Sequence, residues 1–285
     1  MKLDEIFKDW IFRYQYIYNS RLTDKKKTRF IKSLFTDIMK FRQDVQIIEY
    51  NSDKGSSLRN IYVGDIETAD EIVCTYYDTA PNFLGDYHLF DRNKQKASTT
   101  NFILLSSTLT ILLGVVGTYL YIKFIADKFE FLSIQTLGLV GLYGLYFLML
   151  SNVVKGNILN KNLIRNTSSI LTILDLIRST SNTKRAYAFI DDGCYGDRGL
   201  EPLLNQKKKR AKIIYLDSIG AQAPLHIEEN IQINETQASE NITYVFSANP
   251  SESDDYTAYF LSKKDLKEKK INIENISKLN DFLKG

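Results

Sequence analysis

Cysteine and histidine are the scarcest chemistry-bearing residues of this chain: two of each among 285 residues. Two cysteines, Cys74 and Cys194, cannot form a disulfide framework in a chain of this size, and reduced thiols agree with a cytoplasmic setting. With only His88 and His226, a metal centre rich in imidazole is excluded, and neither a Ser-His-Asp nor a Cys-His arrangement finds support. Charge of one sign is also lacking, since the net charge is +3, too little to argue for nucleic acid. The densest basic run, Lys207 to Arg210 followed by Lys212, is more simply a solvated turn or a lipid-facing patch. A cleavable leader is absent from the first residues, because Lys2, Asp4, Glu5, Lys8 and Asp9 interrupt any apolar run. No internal repeat or low-complexity segment is present apart from two apolar stretches.

Those stretches are where the apolar residues gather. Mean hydropathy over the whole chain is only -0.23, yet Ala97 to Ile122 and Phe131 to Val154 contain no Asp, Glu, Lys or Arg over 26 and 24 residues. Crossing the hydrocarbon core of a bilayer takes roughly 20 apolar residues. Core helices of soluble proteins seldom run so long and so evenly apolar on every face. The pattern predicts a transmembrane helical hairpin over 97–155, with spans at about 102–122 and 131–154. Arg92, Lys94 and Lys96 precede it, Lys155, Lys161 and Arg165 follow it, and the turn holds Lys123 and Lys128. The positive-inside rule then places both termini in the cytoplasm and the turn outside, at the cell membrane. Gly114 and Gly117 in one span and Gly138, Gly141 and Gly144 in the other allow close helix contact, within the hairpin or with a partner.

The flanking segments read as one α/β domain in two halves, 1–96 and 156–285. Phe30, Ile31, Leu34, Phe35, Ile38 and Phe41 have helical spacing within Lys25–Phe41. Val45–Tyr50, Asn60–Gly64 and Glu71–Thr75 are short β-rich runs. Thr167–Arg178 has helical spacing, with Asn166 or Thr167 as caps. Ala186–Ile190 and Lys212–Leu216 look like buried strands, Ile242–Ser247 like another, and Ile273–Leu283 like a terminal amphipathic helix. Alternation of this kind argues for an α/β sheet.

The order of segments resembles the di-zinc aminopeptidase family of peptidase clan MH, which also contains glutaminyl cyclases, the transferrin receptor ectodomain and nicastrin. "RNIYVGD" is similar to that family's opening strand and "EIVCTYYDT" to its strand ending in His-Tyr-Asp-Thr or Ser. "RNTSSILTILDLIRS" is similar to its Asp-Asn-Ala-Ser-Gly helix, "YAFIDDGCYGDRGL" to its strand followed by two glutamates and a Gly-x-x-Gly turn, and "IIYLDSIG" to its Asn-Leu-Asp-Met-x-Gly strand. Each piece alone is weak; five in the right order are not. The resemblance implies a mixed central sheet with helices on both faces, interrupted here by the two-helix hairpin, in a loop near the family's active-site mouth.

It also implies what has become of the chemistry. The family holds two Zn²⁺ ions with His and carboxylate ligands and uses a Glu to take a proton from the metal-bound water. On the matched motifs, Tyr76 stands at the first His ligand and Arg165 at the bridging Asp. Gly193 stands at the general-base Glu, Cys194 at the adjoining Glu ligand and, by the looser match of "SESDDYTAYF", Asp255 at the last His ligand. Only Asp78, which orients the first ligand, and Asp217, itself a ligand, are kept. A guanidinium is always protonated, so Arg165 is expected to replace the cations and to pair with Asp217, Asp78 or Asp255. No catalytic residue and no cofactor are therefore expected. The alternative is one rebuilt zinc site from Cys194, Asp217 and Asp255. Three functions follow as expectations: an inactive, membrane-anchored binding or scaffold subunit, holding a peptide or membrane-protein partner in the former cleft around Tyr76, Asp78, Arg165, Cys194 and Asp217; a membrane-bound metallo-aminopeptidase with unusual ligands; or an accessory or immunity component of a peptide transporter.

Overall fold

The structure is a computed structural model, and it describes residues 4–50, 57–124, 133–156, 162–180, 184–196, 198–229, 231, 241–252 and 257–283. The chain divides into two compact units. The first comprises 1–80, 85–95 and 159–285, and the second 81–84 and 96–158.

The first unit is built on a seven-stranded mixed sheet. β1 (Val45–Tyr50), β2 (Leu58–Val63), β3 (Glu71–Tyr76), β5 (Arg185–Ile190), β6 (Lys212–Asp217), β7 (Leu225–Glu229) and β8 (Ile242–Ser247) stand in the order β1-β2-β5-β3-β6-β8-β7. The four middle strands β5, β3, β6 and β8 run parallel, with Tyr76 opposite Ile190 and Cys74 opposite both Ala188 and Tyr215. They are Val-, Ile- and Tyr-rich and buried almost without interruption, as strands covered on both faces must be. The outer strands are antiparallel and partly exposed. β4 (Tyr87–Leu89), β9 (Asn249–Glu252) and β10 (Thr257–Leu261) form a separate three-stranded antiparallel sheet in the order β4-β10-β9.

Helix α5 (Ser168–Ser179) packs against β3 and β5, and α1 (Glu5–Phe12) and α2 (Asp24–Ile38) pack against α5. Ser168 to Ile177 of α5 are all buried. α1 starts at Asp4, whose side chain accepts from the Phe7 N–H at 2.9 Å, and is followed by a π-turn, Arg13–Ile17. Phe7, Trp10 and Tyr14, three and four residues apart, form its buried stripe. α6 (Leu200–Gln206) and α7 (Ile273–Phe282) complete the unit, α7 being capped by Asn272.

The second unit is a pair of helices, α3 (Arg92–Phe124, which begins in the first unit) and α4 (Ile134–Val154). Both are long and apolar enough to cross a membrane; at 1.5 Å per residue α4 alone extends about 30 Å. Their side chains point outward on most faces, Ile134 being 88% and Leu137 71% exposed. The helices are joined by Tyr146 Oη, which donates to Thr110 O at 3.2 Å, and by a 2.5 Å bond between Thr118 Oγ1 and Tyr143 Oη. Gly114 makes room for Tyr146: a Cβ there would lie 2.3 Å from the phenol oxygen. Gly117, Gly138, Gly141 and Gly144 face open space.

Candidate functional site

Three parallel strands deliver the matched residues to one place. Tyr76 ends β3, Asp217 ends β6, and Gly193 and Cys194 lie in the turn after β5. The carboxyl edge of a parallel sheet is where α/β folds gather their functional groups. A π-turn, Leu163–Thr167, leads into α5 and carries Arg165 to the same edge. The backbone is held tightly there, since Asp192 and Ser218 adopt positive φ of 54° and 53°, conformations that cost non-glycine residues energy unless the surroundings fix them. Ser218 is fixed by its own hydroxyl, which bonds Arg165 O at 3.0 Å and Asp217 Oδ1 at 2.8 Å.

Asp217 is 1% exposed and both its oxygens are occupied. Oδ1 accepts from Ser218 Oγ at 2.8 Å and from Tyr76 Oη at 3.3 Å, and Oδ2 from Tyr87 Oη at 2.9 Å. The two phenols lie 3.3 Å apart. Burial, and after it the charge of Asp217, pushes both phenols above their ordinary pKa, so they stay protonated and donate. Burial likewise pushes the Asp217 carboxyl up, opposed by the Ser218 bond and by the charges of Arg92 and Arg165.

Arg165 is 1% exposed. Its guanidinium stands 4.3 Å above the centre of the Tyr87 ring and 5.9 Å from that of Tyr195, and its Nη2 donates to Cys194 O at 3.5 Å, an arrangement in which a ring face supports a cation. The Arg165 guanidinium is thus held on an aromatic ring, and its charge is felt at Asp217. Asp78 grips the turn after β5, accepting from Gly193 N at 2.8 Å and Cys194 N at 3.3 Å. The Cys194 thiol donates to Asp78 O at 3.2 Å, and burial raises its pKa far above the ordinary value.

Gly193 leaves no space for any side chain. A Cβ at this position would lie 2.2 Å from Tyr76 Cβ. The glutamate that the resemblance assigns here has no counterpart, and the present backbone admits none. Asp255 lies outside the described residues. His88 is on β4, and His226 on β7 stacks with Phe246 at 5.4 Å. Among the described residues no group of three or more His, Cys, Asp and Glu side chains could hold a metal ion. The described side chains at this edge therefore do not assemble the ligand set of a zinc pair.

Arg21 and Tyr87 are missed by the sequence motifs. Arg21, fully buried, donates through Nη2 to Asn166 Oδ1 at 2.7 Å and Thr167 Oγ1 at 2.9 Å, while its guanidinium lies 4.7 Å from the Phe30 ring centre. Burial lowers its pKa to about 10, which leaves it charged at neutral pH. Asn166 in turn donates to Asp78 O at 2.5 Å. Asn166 thus ties the segment after β3 directly to the turn before α5, and Thr167, at the N-cap position of α5, accepts from Arg21 instead of making a side-chain cap bond.

Solved structures similar to this chain include a Zn-dependent exopeptidase, an aminopeptidase and glutaminyl cyclases. A Zn-dependent exopeptidase from Parabacteroides distasonis superposes with a TM-score of 0.54 over 97% of this chain and 93% of its own, at 10% identity. An aminopeptidase of Legionella pneumophila gives 0.48 at 12% identity, covering 97% of this chain and 69% of its own. The glutaminyl cyclase of Porphyromonas gingivalis gives 0.40 at 13% identity over 78% of this chain, which spans only 63% of that enzyme. No protein-family model matches the sequence, and neither does any curated protein. At this identity the likeness establishes the fold alone: the chain has the mixed α/β architecture of an aminopeptidase-like exopeptidase, together with two long apolar helices.

Proposed function

We propose that this chain is a membrane-anchored, catalytically inactive peptidase-like protein that serves as a binding or scaffold subunit for a peptide or a membrane-protein partner. The observation that carries the reading is the occupation of Asp217, the one carboxylate ligand kept from the family pattern, by hydroxyl hydrogens from Tyr76, Tyr87 and Ser218. A carboxylate accepting from three hydroxyls and held in a buried site has most of its acceptor capacity already used. Gly193, where the general base would stand, supports the same reading. Anchoring is supported by the outward-facing Leu, Ile, Val and Phe side chains of α3 and α4, a surface that water would penalise and lipid accepts. The cleft side chains are themselves buried, so a partner would be held over them rather than by them.

Metal analysis of the purified full chain tests this. It should contain less than about one zinc per chain and show no chelator-sensitive aminopeptidase activity. Stoichiometric zinc with chelator-sensitive turnover would establish the opposite reading, a membrane-bound aminopeptidase using Cys194, Asp217 and Asp255. Co-purification in mild detergent would identify the partner.

A further inference from the structure

Away from the sheet edge, the π-turn Arg13–Ile17 and α2 enclose an open groove of about 430 Å³. Its lining includes Arg13, Arg29, Lys32 and Lys40, with the hydroxyls of Ser33 and Thr36 between them. One carboxylate, Asp37, lies in the lining, and its side chain is 2% exposed.

Asp37 organises the groove. It accepts from Tyr14 Oη at 2.7 Å, pairs with Arg13 Nη2 at 2.8 Å and with Lys40 Nζ at 3.0 Å. Arg13 is further fixed by Asp9 at 2.8 Å and by Ser33 Oγ at 3.1 Å. Two cations are therefore pre-positioned by a buried anion, while Arg29 and Lys32 are exposed and have no acidic partner among the described residues. Four cations against Asp37 and Asp9 leave an excess of two positive charges around one concavity. An ordinary solvated basic face is convex and its side chains move freely; here one guanidinium is a fixed positive charge in the wall of a concavity before any ligand arrives, which lowers the ordering cost of binding.

We infer that this groove binds a phosphate-bearing anion, with Arg29 and Lys32 as its direct donors and Arg13, whose three nitrogens already serve Asp9, Ser33 and Asp37, as a fixed positive charge beside them. Phosphomonoester oxygens suit the fork geometry of arginine and the point charge of lysine. Such a group could be carried by a soluble organic phosphate or by a lipid headgroup. Phe12, Tyr16 and Ile17 of the adjoining segment are 56%, 62% and 49% exposed, which makes the lipid source worth a separate arm.

The full chain in zwitterionic detergent would be titrated with inositol hexakisphosphate, with short-chain phosphatidylinositol 4-phosphate and with short-chain phosphatidylcholine, following heat by calorimetry. Binding of the first two but not the third is expected, weakening as salt is added. Binding of the phosphoinositide alone assigns the site to headgroups, and binding of the soluble phosphate alone assigns it to metabolites. Charge reversal of two exposed groups, Arg29→Glu with Lys32→Glu, should weaken binding more than about tenfold, as expected for losing charged hydrogen bonds. The matched reversal Lys263→Glu with Lys269→Glu, elsewhere on the surface, should change it by less than about twofold. Thermal melts of both variants confirm folding. The inference is overturned if neither phosphate probe binds, if phosphatidylcholine binds equally, or if the two double reversals have equal effects.

Discussion

A carboxylate as deeply buried as Asp217 makes the stability of the site depend on pH. Burial raises its pKa above the ordinary 3.8, so the folded state holds this proton more firmly than the unfolded state. The stability it contributes is complete below that ordinary value and declines as pH rises through the folded value. The positive charge of Arg165 opposes that decline. Arg165→Ala should therefore cost little near pH 4 and about 3 to 5 kcal/mol near neutrality, where an ionised Asp217 loses a buried counter-charge. Combining it with Asp217→Asn should recover part of the loss. Melting temperatures across this pH range decide the matter; additive effects that do not vary with pH would show that the two residues are uncoupled. Gly193 yields a second expectation at this scale. Gly193→Glu installs the residue type that the resemblance assigns here but drives a Cβ into Tyr76 Cβ, so it should destabilise by at least about 1 to 3 kcal/mol and confer no activity. Gly196→Ala, whose Cβ would meet nothing nearer than 3.7 Å, serves as the melting control.

Within the hairpin, two glycines that look alike in sequence are predicted to behave differently. Gly114→Ala must displace the Tyr146 ring and break its bond to Thr110 O, whereas Gly141→Ala enters open space and gains up to about 1 kcal/mol of helix propensity. Thermal shifts in detergent should fall for the first and hold or rise for the second. Elements with a strong local period were legible: α2, α5, α7 and the strands β1, β2, β3, β5, β6 and β8 fall within a few residues of where periodicity places them. β4, β9 and β10 were not, because they are short and their pairing, such as Leu89 with Tyr259, joins distant segments. α1 lies outside the sequence-based expectations although Phe7, Trp10 and Tyr14 carry the helical spacing, because Asp4, Glu5, Lys8 and Asp9 mask so short a stripe. Of the candidate site, motif order brought Tyr76, Asp78, Arg165, Gly193, Cys194 and Asp217 together. It could not supply Tyr87 or Arg21, which come from segments without a motif and enter only through tertiary packing.

For the whole molecule, the basic flanks of the two apolar helices predict that tags at Met1 and Gly285 are both protected from protease in intact cells, and that the chain resists alkaline carbonate extraction from membranes. A cleaved terminal tag would overturn the cytoplasmic placement, and carbonate release would overturn the anchoring. The order of the strands in the chain has a consequence for biosynthesis. β3, central in the sheet, pairs only with β5 and β6, and both follow α3 and α4 in the chain. Tyr76 and Asp217 are 141 residues apart, an interval of about 7 to 30 s at ordinary translation rates. Until Ile190 completes β5, the ribosome has released a strand rich in Ile, Val and Tyr with neither neighbour made, and β6 follows only at the end of the interval. Newly made chains stalled in that interval should be the principal clients of chaperones and the principal source of aggregates when this protein is overproduced.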